Sequence, residues 1–167
     1  MRLAESLIAE FNREAKGTET ILGRVPQDKL GWRPHPKSRT IGELAWHIAT
    51  IPGAVATGLR EGKYEVGAAR PPALGGSDFV GTFHESADKL RSALNEISDE
   101  ALLQEKFSFV NNDVPIVSFP KIGFVRTVIL NHSIHHRGQL TVYLRLLDIP
   151  VPAIYGTSAD ENAFQRQ

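Results

Sequence analysis

Apolar positions near the N-terminus recur every three or four residues: Leu3, Leu7, Ile8, Phe11, Ile21 and Leu22, with Thr18 in step. That spacing lines one face of an amphipathic helix over residues 3–22 and does not fit the two-residue alternation of a strand. The segment VPQDKLGWRPHPKSR is punctuated by prolines. It reads as a connector, with Trp32 plugging an end of the core and His35 exposed between Pro34 and Pro36. Thr40 and Glu43 then take the T-x-x-E spacing of a capping box and start a second helix that runs to about Arg60. Pro52, followed by Gly53, removes an internal hydrogen bond and predicts a kink beyond His47.

Residues 61–76, EGKYEVGAARPPALGG, read as a Gly/Pro loop. Ser77 is placed to cap a third helix whose Phe79, Phe83, Leu90, Leu94 and Ile97 share a face and which ends near Glu96. Between Ser98 and Pro120 the periodicity weakens. KFSFVNNDVPIVSF alternates as a short hairpin does, with Asn111, Asn112 and Asp113 as turn residues, and an irregular loop is the alternative. A last helix follows Pro120 and continues to about Asp148, where Ile149-Pro150 stops it. Four helices without an internal repeat predict an all-α fold, an antiparallel four-helix bundle with a short irregular or hairpin insert before the last helix. Residues 1–167 read as one domain, the tail VPAIYGTSADENAFQRQ being too short for another.

Composition narrows the chemistry. Nineteen basic side chains balance nineteen acidic ones, and no basic run is present to neutralise a row of phosphates, so nucleic acid is not expected as a partner. The first residues interleave charge with apolar side chains, and no long uncharged apolar run follows, which predicts a cytoplasmic protein without membrane contact. There is no cysteine, so imidazole and carboxylate are the strong metal-binding groups that remain. Any reactive thiol has to arrive on a substrate.

Three of the six histidines fall in LNHSIHHRGQL, residues 130–140. At 100° per residue, Val125, Val128, Ile129, Tyr143, Leu146 and Leu147 lie within about 60° of His132, and Arg137 and Arg145 lie on the far side. His132 and His136 therefore face the bundle. His135 falls at the flank of the apolar arc and is the poorer second ligand. Two rings one turn apart can converge on one ion, and a third ligand has to come from another helix. His47 on the second helix, near the buried stripe and with the small Ala54 and Gly58 on its meridian, is the candidate. His84 reads as solvated. Ser133 stands where a zinc protease needs a glutamate after the first histidine, which disfavours peptide hydrolysis of that type.

Taken together, IGELAWHIA, NHSIHHRGQL and LRLLDIPVPAIYGTSADE resemble the DinB/YfiT-like family of four-helix metal-binding proteins, over residues 3–162. That family is distinct from the lesion-bypass polymerase that shares the DinB name. The resemblance implies an up-down-down-up bundle, often a homodimer, with a divalent ion held by His47, His132 and His136. It also implies, for some relatives, enzymes that join a low-molecular-weight thiol to an electrophile. Residues 61–77 and 104–119 match no pattern tied to a substrate.

These readings converge on a metal-dependent transferase that uses zinc or nickel and a small thiol such as bacillithiol. Hydrolysis by a metal-activated water is one alternative, and a non-catalytic, metal-stabilised interaction module is another. Glu43, Gln139 and Tyr143 are the candidate catalytic side chains; Glu43 also reads as a capping-box acid, and Gln139 lies on the His132 meridian. Arg137 points away from the site toward a surface or inter-helix ion pair. Leu130 and Ile134 lie on the outer face of the last helix, where a homodimer would bury them.

Overall fold

The computed structural model describes residues 2–67, 77–162 and 164. Helix α1, Leu3–Leu22, buries Ala4, Leu7, Phe11, Ala15, Thr18, Ile21 and Leu22 as one stripe, each large apolar side chain contributing about 1.5–3 kcal/mol when fully buried. Helix α2, Ile41–Glu61, begins with the expected box: Thr40 Oγ1 accepts from the Glu43 amide and the Glu43 carboxylate accepts from the Thr40 amide. It continues through Pro52 and stops at Gly62, whose φ of 70° suits a residue without a Cβ. Helix α3, Phe79–Glu96, is capped by Asp78, one residue after the expected Ser77, because the Asp78 carboxylate accepts from the Gly81 amide at 2.8 Å. A short α4, Asp99–Gln104, follows, capped by Ser98.

Helix α5 spans residues 121–146 in three joined stretches: an α turn Lys121–Phe124, a π-helical stretch Val125–His132, and an α-helix Ser133–Leu146. Backbone angles stay right-handed helical across both joins. In the packing, α3 and α5 each lie against both α1 and α2. Core side chains from all four long helices meet there, among them Phe11, Ile48, Leu90, Leu94 and Leu140.

The all-α expectation is wrong. Besides the helices there is a three-stranded mixed sheet: β1, Lys63–Glu65, runs parallel to β2, Lys106–Asn111, which pairs antiparallel with β3, Val114–Pro120. The β2–β3 hairpin turns on Asn112 and Asp113, both at positive φ, the two-residue geometry that matches strand twist. The part of the expected 61–76 loop that is described holds β1; residues 68–76 lie outside the described residues. Three residues cannot announce themselves by alternation, and β1 exists through its partners. Tyr64 is in register with Phe109, the Glu65 carboxylate accepts from the Asn112 amide at 2.8 Å, and Lys63 pairs with Asp113 at 2.6 Å. Phe107 stacks on Phe124 with centroids 3.5 Å apart, locking the sheet to α5. Gly58 of α2 admits this pair, since a Cβ there would stand 2.9 Å from both rings.

The angular map of the last helix also needs correction. Leu130, read as outward, is 5 % exposed, and Leu146, read as inward, is 56 % exposed. Arg137 does point away from the histidines, and of its two readings the inter-helix ion pair is the one found, since it is 3 % exposed and pairs with Glu14 of α1. Two physical causes act. Leu146 is the last residue of α5 and is left uncovered at the helix end. In addition, the face opposite the histidines is not open to water: α1 and the segment after α5 cover it. There the Arg137 guanidinium donates to the Glu14 carboxylate at 2.5 Å, to the Glu14 carbonyl at 2.8 Å and to the Tyr155 hydroxyl at 2.5 Å, while Tyr155 donates to Glu14. Arg24 with Glu161 and Arg145 with Asp160 tie down the same segment. Of the two residues expected to sit in a homodimer interface, only Ile134, at 38 % exposure, remains for a partner to cover.

Candidate metal centre

Two elements supply the site. His47 lies on the second turn of α2, whose register the Thr40 cap sets, and His132 ends the π stretch of α5, four residues before His136. A π turn of this kind is common where a helix aims a functional side chain. Neighbouring apolar residues, Leu44, Ile48 and Ile51 on α2 and Ile129 and Leu140 on α5, are buried, which holds the two helices at a fixed separation.

The three rings converge through one atom each. His132 Nε2 lies 3.1 Å from His47 Nε2 and 3.1 Å from His136 Nε2. The planes stand nearly perpendicular to one another, at 82° to 89°, with centroids 4.3 to 5.3 Å apart. His136 is 9 % exposed, and the other two are partly buried. The candidate group His47, His132 and His136 is thus brought together. His35, His84 and His135 are exposed and lie outside it.

Hydrogen bonds alone do not satisfy this arrangement. His136 Nδ1 lies 2.7 Å from the Gln139 side-chain oxygen, an acceptor, so Nδ1 carries the proton and Nε2 is a bare lone pair. A neutral His132 has one proton at most on Nε2. If it donates to His136, it offers no lone pair to His47; if it accepts from His47, two lone pairs face each other at His136. One His132 proton cannot make two full hydrogen bonds, so at best it is shared and at worst two lone pairs face each other, and a cation at the convergence removes the conflict. Nitrogens bound at 2.0–2.1 Å around a tetrahedral ion stand roughly 3.3 Å apart, close to the separations seen here. The residues therefore fit a divalent ion.

Electrostatics favour the ligand form. Burial first, and then the Arg39 guanidinium, hold the His47 pKa down to about 3. Burial lowers that of His136 to about 4, against a smaller opposing effect of its bond to Gln139. His132 is lowered too, by burial, then by His135 and Arg39. Near neutrality all three rings are uncharged, as metal ligation requires. Arg39 went unnoticed in the sequence because it stands eight residues before His47 on another segment, and no spacing rule connects them.

The other candidates are placed as follows. The Glu43 carboxylate is engaged at the start of α2 through the capping box. Gln139 orients His136. The Tyr143 hydroxyl donates to the Arg39 carbonyl at 3.3 Å, and its ring meets Trp32 edge-on at 5.7 Å.

Beside His47 and His132 opens a cavity of about 660 Å³, within the range of small-molecule sites. Trp46, Ile51, Tyr64, Phe109, Phe124 and Val128 form much of its wall, and Gly53 and Ala54 leave it room. The sheet contributes Tyr64, on the strand β1 that was read as loop, and Phe109, on the hairpin expected there. Ala54, expected to leave space beside His47, does so; Gly58 instead receives the aromatic pair. Among the described residues no helix is long and apolar enough to cross a membrane.

Comparison with known proteins agrees with this architecture. The chain is 26 % identical over 158 residues to the uncharacterized protein YrdA of Bacillus subtilis (strain 168), covering 94 % of this chain and 90 % of that one. A DinB-like protein from Bacillus cereus ATCC 10987 superposes with a TM-score of 0.73 at 25 % identity, over 90 % of this chain and 97 % of the other. YjoA, a DinB-like protein from Bacillus subtilis, shares the fold with a TM-score of 0.67 at 18 % identity, over 88 % and 96 %. The family model of DinB matches residues 1–167, and the chain accordingly belongs to the DinB family.

Proposed function

We propose that this protein is a metal-dependent transferase that joins a low-molecular-weight thiol to an electrophilic carbon, with zinc or nickel held by His47, His132 and His136. The observation that carries the reading is a cluster of three neutral imidazole nitrogens, two of whose rings, His47 and His132, line a cavity large enough for a small organic molecule. A divalent ion in such a site lowers the pKa of a thiol and stabilises it as the nucleophile.

The chain's own groups do the rest. Gln139 keeps the His136 lone pair directed inward. Arg39 places a positive charge whose field reaches all three rings, which favours an anionic sulfur there. The apolar wall excludes water from the reacting carbon. In the transfer, sulfur forms a bond to carbon as the leaving group departs with its electron pair, and the thiol proton passes to solvent. The chain has no cysteine to compete as nucleophile or to close the site as a fourth ligand. Among the described residues the cluster contains three ligating side chains, whereas a purely structural zinc site carries four. Hydrolysis is less well supported, since the Glu43 carboxylate is committed to its cap and the Tyr143 hydroxyl to Arg39. A homodimer remains an expectation of this reading rather than a requirement of the site.

The test is a thiol-consumption screen. Protein loaded with zinc or nickel is offered cysteine, coenzyme A, glutathione and bacillithiol against monobromobimane, chlorodinitrobenzene and an epoxide. Turnover that disappears in His136→Ala supports the reading. No metal-dependent consumption of any thiol by the loaded protein would overturn it.

A further inference from the structure

The cavity beside the histidines has a chemical signature of its own. Aromatic and aliphatic side chains dominate the wall, and no aspartate or glutamate occurs among its described lining residues. One full charge does: Lys89 of α3, an exposed side chain with no ion-pair partner among the described residues. Ser86 lies one turn earlier on the same face of α3 and also lines the cavity, and its hydroxyl has no hydrogen-bond partner among the described residues. By contrast, Thr50 and Thr57, also in the wall, spend their hydroxyls on backbone carbonyls of their own helix. Two donors one helical turn apart, a free ammonium and a free hydroxyl, therefore line the same largely apolar chamber as His47 and His132.

We propose that this cavity binds the electrophilic partner of the transfer, and that this partner is an apolar, aromatic or aliphatic molecule carrying an acidic group. Its body lies against Tyr64, Phe109 and Phe124, its anion is received by Lys89 and Ser86, and its reactive carbon is directed toward the histidines. The assignment rests on the transferase reading for the word electrophilic, but the recognition it describes is a binding property that needs no turnover. The polar thiol does not suit this chamber, because its amide or hydroxyl groups would be left unpaired against apolar walls. A carboxylate or sulfonate does suit it, because an unpaired cation beside a water-poor surface gains more from an anion than it does in open solvent.

The experiment compares two probes with the same aromatic body, one anionic and one neutral: 1-anilinonaphthalene-8-sulfonate and N-phenyl-1-naphthylamine. Fluorescence titrations are run on metal-free and zinc-loaded protein. The anion is expected to bind about five- to tenfold more tightly, as befits a partly exposed ion pair with an added hydrogen bond. Lys89→Ala should abolish that preference and leave the neutral probe unchanged. Ala54→Phe, or Thr57→Phe at a more exposed point of the wall, should block both probes while circular dichroism stays native. Equal affinities in the native chain, an anion preference that survives Lys89→Ala, or binding that survives both blocking variants would each overturn the assignment. A failed thiol screen leaves these titrations as they are, so the two readings fail separately.

Discussion

Gln139→Leu removes the acceptor that fixes His136 and keeps nearly the same volume. In the native chain His136 Nδ1 donates to the Gln139 oxygen at 2.7 Å, which fixes both the ring's orientation and the nitrogen that carries the proton. Without it the ring is free to place the proton on Nε2, the atom that has to be bare for ligation. Loss of such a supporting bond weakens metal binding by about 10- to 100-fold. Gln139 is solvent-exposed, so water takes over part of the acceptor role and the low end applies: about tenfold, or roughly 1.4 kcal/mol. Gln139→Glu should hold or tighten the ion, because a carboxylate acceptor makes the ring more basic. The assay is competition for zinc against a chromophoric chelator near pH 7.5, with circular dichroism to confirm the fold. A leucine variant within twofold of the native affinity would show that the Gln139 oxygen does not set the His136 tautomer. Equal weakening in both variants would show that position 139 matters only for packing.

Acid should act on the metal-free protein through the same rings. His47 and His136 titrate near 3 and 4 in the folded chain and near 6.5 when unfolded, so below about pH 6.5 the unfolded chain takes up protons that the fold excludes, and melting temperatures should drop between pH 6.5 and 4. His47→Phe with His136→Leu should flatten that drop. Glu14→Ala leaves the 3 %-exposed Arg137 without its carboxylate; Glu14 keeps 21 % exposure, so the expected loss is about 2–3 kcal/mol, or roughly 4–12 °C in Tm by calorimetry. Gly58→Leu forces a side chain against the edges of Phe107 and Phe124 and should destabilise by about 1–3 kcal/mol in urea titration, with loss of the sheet's strand signal.

The four long helices were legible because each carries its own period and its own cap, as the Thr40–Glu43 box shows most plainly. The convergence of the three histidines was legible for a related reason: the i, i+4 spacing of His132 and His136 is a local fact, and among the described residues His47 belongs to the one other helix with an inward histidine. What escaped was non-local. β1 is a three-residue strand that depends on Phe109 across the register and on the turn amides that Glu65 accepts, none of them near it in sequence. The π stretch has no marker in the pattern of apolar residues, and Leu130 looked exposed because a helical wheel does not show that α1 lies over its face. For Arg137 an ion pair was expected but surface and inter-helix pairing could not be told apart, since its partners, Glu14 and Tyr155, come from opposite ends of the chain. Such pairings depend on topology, which a helical wheel does not contain.

Elemental analysis of the purified, zinc-loaded chain decides whether three imidazoles from two helices hold one divalent ion. About one ion per chain is expected in the native protein and near-complete loss in both His47→Ala and His136→Ala, each with an unchanged helical spectrum. A native protein that retains no stoichiometric metal after loading, or variants that keep as much as it does, would rule such a site out.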